Sequence, residues 1–191
     1  MIADATGLIL AGGASSRFGA DKALAAWGEG TLVESACAAL LEILPRVLIA
    51  AKPGQVRPVR DPRVSLVWDL REIRHPLSGL EAGLAVCPTP WVFALACDMP
   101  FAGAELVRRL AAERTGFAAV AARCGGRNQP WGAFYAREVL TQLSAHLDAQ
   151  GSATAFLSKI RTQSVEVSAV GREFFDLDDQ AAYREALAWK L

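Results

Sequence analysis

Short, uninterrupted apolar runs alternate along the chain with longer stretches whose apolar residues recur every three or four positions. The first pattern is that of strands covered on both faces, and the second is that of helices with one buried face. Strands are predicted at residues 7–11, 47–50, 64–68, 91–96, 117–122, 131–135 and 164–167; the run at 91–96, WVFALA, has no polar residue. Helices are predicted over residues 31–44, after Ser78 and Gly79, over 104–113, near 136–146, over 152–160 and from 179 to 189. Thr31 followed three residues on by Glu34 reads as a capping box, and Pro45 as a stop. In the second helix Leu80, Leu84 and Val86 are expected to face inward. RCGGRNQ, between two strands, reads as a polar loop. There is no repeat, low-complexity tract or long linker. The pattern predicts one α/β domain over residues 1–191, with a mostly parallel central sheet covered by helices.

Composition supports a self-sufficient core. A chain of 191 residues buries roughly 70% of the surface that its unfolded form exposes, so no staple is required. Lys plus Arg equals Asp plus Glu, 20 of each, so no net charge draws the chain to nucleic acid or to an anionic membrane. Any anion must be held by a local arrangement. Cys37, Cys87, Cys97 and Cys124 are far apart and lack CxxC spacing, which speaks against a zinc site or a disulfide framework and for buried reduced thiols. The opening MIADAT contains Asp4 and no basic residue, unlike a signal peptide, and a cytoplasmic location is expected.

Residues 8–22 read LILAGGASSRFGADK, a strand that breaks into a flexible loop carrying Arg17 and Lys22. A Walker A loop needs a hydroxyl directly after its lysine, but Ala23 follows Lys22; a dinucleotide fingerprint needs GxGxxG, which Gly12-Gly13-Ala14 does not supply. Consecutive amides in such a loop can still cradle an anion, with the two cations adding charge-assisted contacts. A solvated turn with two exposed cations fits the residues equally well. Asp98 directly follows the most apolar strand, where open α/β sheets place their ligand crevice. A carboxylate there suits Mg²⁺, which takes one or two carboxylates plus substrate phosphates. The alternative is a simple turn cap.

These two stretches carry a resemblance. LAGGASSRFGADK is similar to the opening signature LAGGxSxRMGxDK of the molybdenum cofactor guanylyltransferases, with Phe18 where methionine is usual, and CDMPF at residues 97–101 is similar to their metal-binding segment. The resemblance implies a three-layer Rossmann-like nucleotidyltransferase fold. It also implies that GMP passes from GTP to the terminal phosphate of molybdopterin, or of its molybdenum-bound form, with release of pyrophosphate. Leu10, Ala11, Gly12, Gly13 and Lys22 would then line the nucleotide, Arg17 and Lys22 would offset charge on the leaving group, and Asp98 would bind Mg²⁺. Asp69 with Pro76, Leu77 and Gly79 falls on segments that hold guanine, whose paired N1–H and N2–H donors suit one carboxylate. The same residues read without the family leave Asp69 an exposed strand-end carboxylate.

The sequence departs from the family in three places. His75 replaces the first glycine of GPLxG, Ala51 stands where asparagine often contacts the nucleotide, and FFDLDD replaces the asparagines of FxNxNTPED with Asp176 and Asp178. By resemblance Asp178 is a second metal ligand; alternatively Asp178 or Asp179 caps the last helix. RCGGRNQPWGAFY resembles the QPLxAxY segment near the acceptor, which makes Arg127, Asn128, Gln129 and Asp176 candidate acceptor contacts, with Arg123 beside them; a hairpin loop is also polar for ordinary reasons. Neither His75 nor His146 has an evident catalytic partner. GTP, molybdopterin and transient contacts with cofactor biosynthesis or delivery proteins are the expected partners. The rival readings are a cytidylyltransferase for the same acceptor, a sugar-nucleotide pyrophosphorylase, and a nucleotide-binding module without catalysis.

Overall fold

The computed structural model describes residues 1–12, 22–53, 59–69, 71, 75–167 and 172–189, so Gly13 and Arg17 lie outside the described residues. In chain order the elements are β1 (Ala5–Leu10), a small hairpin of β2 (Ala26–Trp27) and β3 (Gly30–Thr31), α1 (Leu32–Leu41), β4 (Val47–Ala51) and β5 (Val64–Trp68). There follow α2 (Pro76–Val86), β6 (Trp91–Ala96), α3 (Ala104–Ala111), β7 (Ala119–Cys124) and β8 (Arg127–Ala136). The chain continues with α4 (Leu140–Asp148), α5 (Ala153–Lys159), β9 (Thr162–Glu166) and α6 (Gln180–Ala188).

Seven strands form one sheet in the order β5-β4-β1-β6-β8-β7-β9. β8 runs antiparallel to both of its neighbours, and the other pairings are parallel. One core layer packs α1 and α3 on the sheet through Val33, Leu40, Val107 and Leu110. The opposite layer packs α2, α4 and α5 through Leu77, Leu84, Leu143 and Phe156. This is the three-layer α/β arrangement that the alternation predicts. Among the described residues no helix is long and apolar enough to cross a membrane, and all four cysteines are free.

Local chemistry explains the boundaries. Thr31 Oγ1 accepts from Glu34 N at 3.4 Å while Glu34 Oε2 accepts from Thr31 N at 2.9 Å, the expected capping box. α1 ends at Leu41, three residues before the predicted limit, because Leu44 precedes Pro45 and is disfavoured in the helical region. α2 starts at Pro76 rather than after Gly79: His75 Nδ1 accepts from Leu77 N at 3.2 Å, and Pro76 occupies the first turn, where its missing N–H costs nothing. Val86, expected inside, is 55% exposed in the last turn of α2, and Leu77 takes the inward role instead. RCGGRNQ is not a loop. Gly125 (φ 57°) and Gly126 (φ 77°) make a two-residue hairpin turn, and Arg127 already pairs with Cys124.

α2 lies close to the sheet because two of its residues lack side chains. A Cβ on Gly79 would stand 3.0 Å from Leu10 Cδ2, and one on Gly83 only 2.5 Å from Leu8 Cδ2. Gly83→Ala is therefore expected to destabilise the protein. Overpacking costs about 1–3 kcal/mol, against a gain of about 1 kcal/mol in helix propensity. Urea unfolding that finds the variant as stable as the wild type would contradict the tight seam.

Candidate active site

The chain leaves β1 toward β4 on one side and returns through β6 on the other, so the strand order reverses around β1. Such a switch point opens a crevice at the carboxyl ends of the strands. Here Ala11 N donates to Ala50 O at 2.8 Å and Cys97 N to Leu10 O at 3.2 Å, which brings the ends of β1, β4 and β6 to one level. Asp98 follows β6 at that rim. Lys22 re-enters the rim in a short 3-10 turn, Lys22–Leu24, and its Nζ donates to Asp98 Oδ2 at 2.7 Å. Their side chains are 13% and 24% exposed, so the pair sits partly out of solvent. Leu10 and Gly12 are half-buried at the same rim and Ala11 is buried.

The C-terminal segment meets Asp98 from the other side. Leu177 N donates to Asp98 O at 3.1 Å. Leu177 is fully buried, whereas Asp176 and Asp178 on either side of it reach the surface. Loss of hydration, with the charges on Asp98 and Asp178 added to it and Lys22 opposing, raises the Asp176 carboxyl from 3.8 to about 6. Crowding of this kind is what a cation relieves, and oxygen donors are the ones that Mg²⁺ takes. Among the described residues no three His, Cys, Asp or Glu side chains are gathered closely enough to hold a metal ion alone. A partial carboxylate set completed by substrate phosphates is consistent with that. Asp178 is not the cap of α6: Asp179 Oδ1 accepts from Ala181 N at 2.8 Å and Ala182 N at 2.9 Å.

At the end of β5, Asp69 is 7% exposed, not the open strand-end carboxylate of the alternative reading. Its Oδ2 accepts from Ser78 Oγ at 2.5 Å and pairs with Lys52 Nζ at 3.1 Å, while Oδ1 accepts from Arg71 N at 3.1 Å. Three of its roughly four lone-pair directions are in use. Taking both N–H groups of guanine would require Lys52 or Ser78 to move. Pro76 is exposed at the start of α2, Leu77 lies in the core and Gly79 faces Leu10 and Ala50. Around them runs a network that the sequence does not announce. Arg71 grips Glu81 at 2.5 and 2.6 Å and Asp148 at 2.7 Å, and Ser144 Oγ donates to Glu81 at 2.6 Å. The Arg71 guanidinium holds Glu81 below the usual carboxylate range. Lys52 Nζ also donates to Arg71 O. Lys52 was legible by position, since it follows β4 as Asp69 follows β5; the partners of Arg71 lie 10 and 77 residues away, beyond any local pattern.

Three of the four acceptor candidates occupy β8, and the fourth, Asp176, lies at the rim beside Asp98. Arg127 is exposed beside the hairpin turn, Asn128 and Gln129 are half-buried, and Asn128 Oδ1 is buried with no hydrogen-bond partner among the described residues. Between the pairs Ala121–Ala133 and Arg123–Asn128, residues 129–132 face Ala122 alone, a large bulge. Gly132 takes φ 78° there, and Tyr135 O–H donates to Pro130 O at 2.9 Å, pinning the bulge from below. A Cβ on Gly132 would lie 3.0 Å from Phe174 Cε1, so the bulge touches the segment that leads to Asp176. No hydrogen bond or ion pair among the described residues joins Arg127, Asn128 or Gln129 to Asp98 or Asp176. Arg123 pairs instead with Glu166 at 3.3 Å. His146 is structural: Nε2 faces Ser152 O at 2.9 Å and the ring packs on Phe156.

Residues 7–165 match the family model for the MobA-like NTP transferase domain. The chain is 36% identical over 173 residues to a Deinococcus radiodurans protein named "Probable molybdenum cofactor guanylyltransferase", covering 89% of this chain and 86% of the relative. It is 34% identical over 157 residues to a molybdenum cofactor guanylyltransferase of Polynucleobacter asymbioticus, covering 81% and 76%. The crystal structure of molybdopterin-guanine dinucleotide biosynthesis protein A from Archaeoglobus fulgidus superposes with a TM-score of 0.76 at 18% identity, covering 97% of this chain and all of that one.

The crowding of Asp176 has a consequence for stability. Its folded-state value is raised from 3.8 to about 6, so the folded state binds this proton more tightly than the unfolded state. The contribution is full below 3.8 and is lost as pH rises through about 6. Asp176→Asn is therefore expected to gain stability relative to wild type between pH 4 and 7. Urea unfolding of both proteins across that range tests it; a pH-independent difference contradicts the crowding.

Proposed function

Because the chain belongs to the MobA-like NTP transferase family, we propose that it transfers GMP from GTP to the terminal phosphate of molybdopterin and releases pyrophosphate. The relatives named above support guanylyl transfer to this acceptor. The observation that carries the chemistry is the meeting of Lys22, Asp98 and the Asp176–Asp178 segment at one crevice.

The acceptor phosphate is already ionised, so no strong general base is needed. Donor and acceptor are both anions, and the protein's task is to suppress their repulsion and to align them. Lys22, held at the rim by Asp98, is placed to donate to phosphate oxygens and to offset charge on the departing pyrophosphate. The amide of Gly12, where the chain leaves β1, borders the same place. Asp98 and Asp178 would hold Mg²⁺, with Asp176 beside them. When bound, Mg²⁺ supplies charge that stabilises the phosphate oxygens as the bond to the α-phosphate changes partners. Asp69, fixed by Ser78 and Lys52, borders the base and keeps one acceptor direction for a guanine N–H. Asn128 Oδ1 offers an unfilled acceptor to N–H donors of the pterin.

Pyrophosphate release measured with each of four NTPs, with and without molybdopterin, tests the reaction. GTP is expected to be used and to require the acceptor. Preference for CTP would favour the cytidylyltransferase, and GTP binding with no release would favour a module without catalysis. Asp98→Ala is expected to lower turnover by about two to three orders of magnitude, at 1.36 kcal/mol per tenfold; near-normal turnover removes Asp98 from the cation site. Lys22→Ala is expected to weaken GTP binding by roughly 10- to 100-fold, the worth of a charged hydrogen bond, and to leave guanosine binding unchanged. Calorimetry with both ligands decides, and equal losses would place Lys22 away from the phosphates.

A further inference from the structure

The family match ends at residue 165, yet two of the carboxylates at the rim come from beyond it. The segment that carries them has its own small core. Trp27, Leu32, Leu177 and Ala186 are buried together, with Phe101, Phe175, Tyr183 and Leu187 packed around them. Trp27 meets Phe101 edge-on at 5.7 Å, and Tyr183 O–H donates to Ala26 O. α6 is thereby laid over the β2–β3 hairpin, directly after Lys22. Within this cluster Leu177 has two attachments. Its side chain is fully buried, and its N–H donates to Asp98 O at 3.1 Å. Leu177 lies between Asp176 and Asp178 in the chain, so its two attachments hold both carboxylates beside Asp98.

We propose that Leu177 is a positioning residue: its buried side chain and its hydrogen bond to the Asp98 carbonyl register the C-terminal acidic pair against Asp98. The inference rests on the reading of these carboxylates as a cation site. The small core is then an adjustable support for that site, and changes within it move cation affinity.

The test measures Mn²⁺ binding to the full chain with GTP present, by electron paramagnetic resonance of free Mn²⁺, for wild type, Leu177→Ala, Leu177→Met, Asp98→Ala and Leu143→Ala. Leu143 is equally buried but lies under α4 on the other face, so its variant controls for lost stability. Leu177→Ala is expected to weaken Mn²⁺ by about tenfold or more, as changes to the support of a metal ligand do. Leu177→Met is expected to stay within about threefold, since it keeps the buried volume. Leu143→Ala is expected to match the wild type. Wild-type affinity in Leu177→Ala, or an equal loss in Leu143→Ala, overturns the positioning role. Wild-type affinity in Asp98→Ala instead overturns the cation reading beneath it. If Leu177→Ala does not fold, Leu177→Val decides: about threefold weaker Mn²⁺ supports the role, and no change overturns it.

Discussion

β1 pairs in parallel with β4 on one edge and β6 on the other, and it is covered by helices on both faces. Its polar backbone is fully used within the sheet, so the chain can expose amides only where pairing stops. Register then does the rest. Leu10 stands beside Ala50 and Ala96, and the residues that follow each strand emerge at the same height. Gly12, Lys52 and Asp98 are the outcome: a loop start, a cation and a carboxylate along one rim. Asp69 joins them because β5 keeps the same register against β4. The tight seat of α2, through Gly79 and Gly83, carries Ser78 to Asp69 and completes that end of the crevice.

The electrostatics of the crevice follow from this geometry rather than from net charge. With 20 basic and 20 acidic residues the chain has no global field to offer an anion. The rim instead holds two partly buried cation–carboxylate pairs, Lys22 with Asp98 and Lys52 with Asp69. Such pairs do not stabilise a fold strongly, because desolvation offsets attraction. What they do is keep charged groups at fixed places in a low-dielectric cleft, each satisfied by its partner until a ligand competes. On the proposed function, a triphosphate would offer oxygens to the lysines and a divalent cation would offer charge to the carboxylates. Exchange of partners at these pairs requires no protein group to be left uncompensated.

Much of this was legible in the sequence because the informative features are local. The strands at residues 64–68 and 91–96 coincide with the apolar runs that predict them, and Thr31 and Glu34 form the capping box that their spacing implies. The place of Asp98 at the rim follows from a positional rule, the first charged residue after the most apolar strand. What was not legible depends on contacts distant in sequence or on backbone detail. Two glycines with positive φ converted an expected loop into a hairpin turn. Val86 stands two residues after Leu84, about 200° round the helix, and so faces out of the last turn of α2. The bulge at residues 129–132 depends on Tyr135 reaching back to Pro130, and Asp69 looked available because Lys52 and Ser78 converge on it only after folding. Gly13 and Arg17, from the loop expected to bind phosphate, lie outside the described residues.

The departures from the family pattern take on physical sense at the rim. A histidine in place of the leading glycine is accommodated because residue 75 has φ −128°, ordinary extended backbone, and its imidazole caps the helix that the glycine would only have entered. The replacement of two asparagines by Asp176 and Asp178 is a larger change, since it adds two carboxylates beside Asp98. Both reach the surface, yet Asp176 is pushed up to about 6 by loss of hydration and by the charges of Asp98 and Asp178. Near neutral pH the site therefore sits close to the point at which one of its carboxylates takes a proton. A protonated Asp176 can donate a hydrogen bond, as an asparagine side chain does, and an ionised one adds to the pull on a cation.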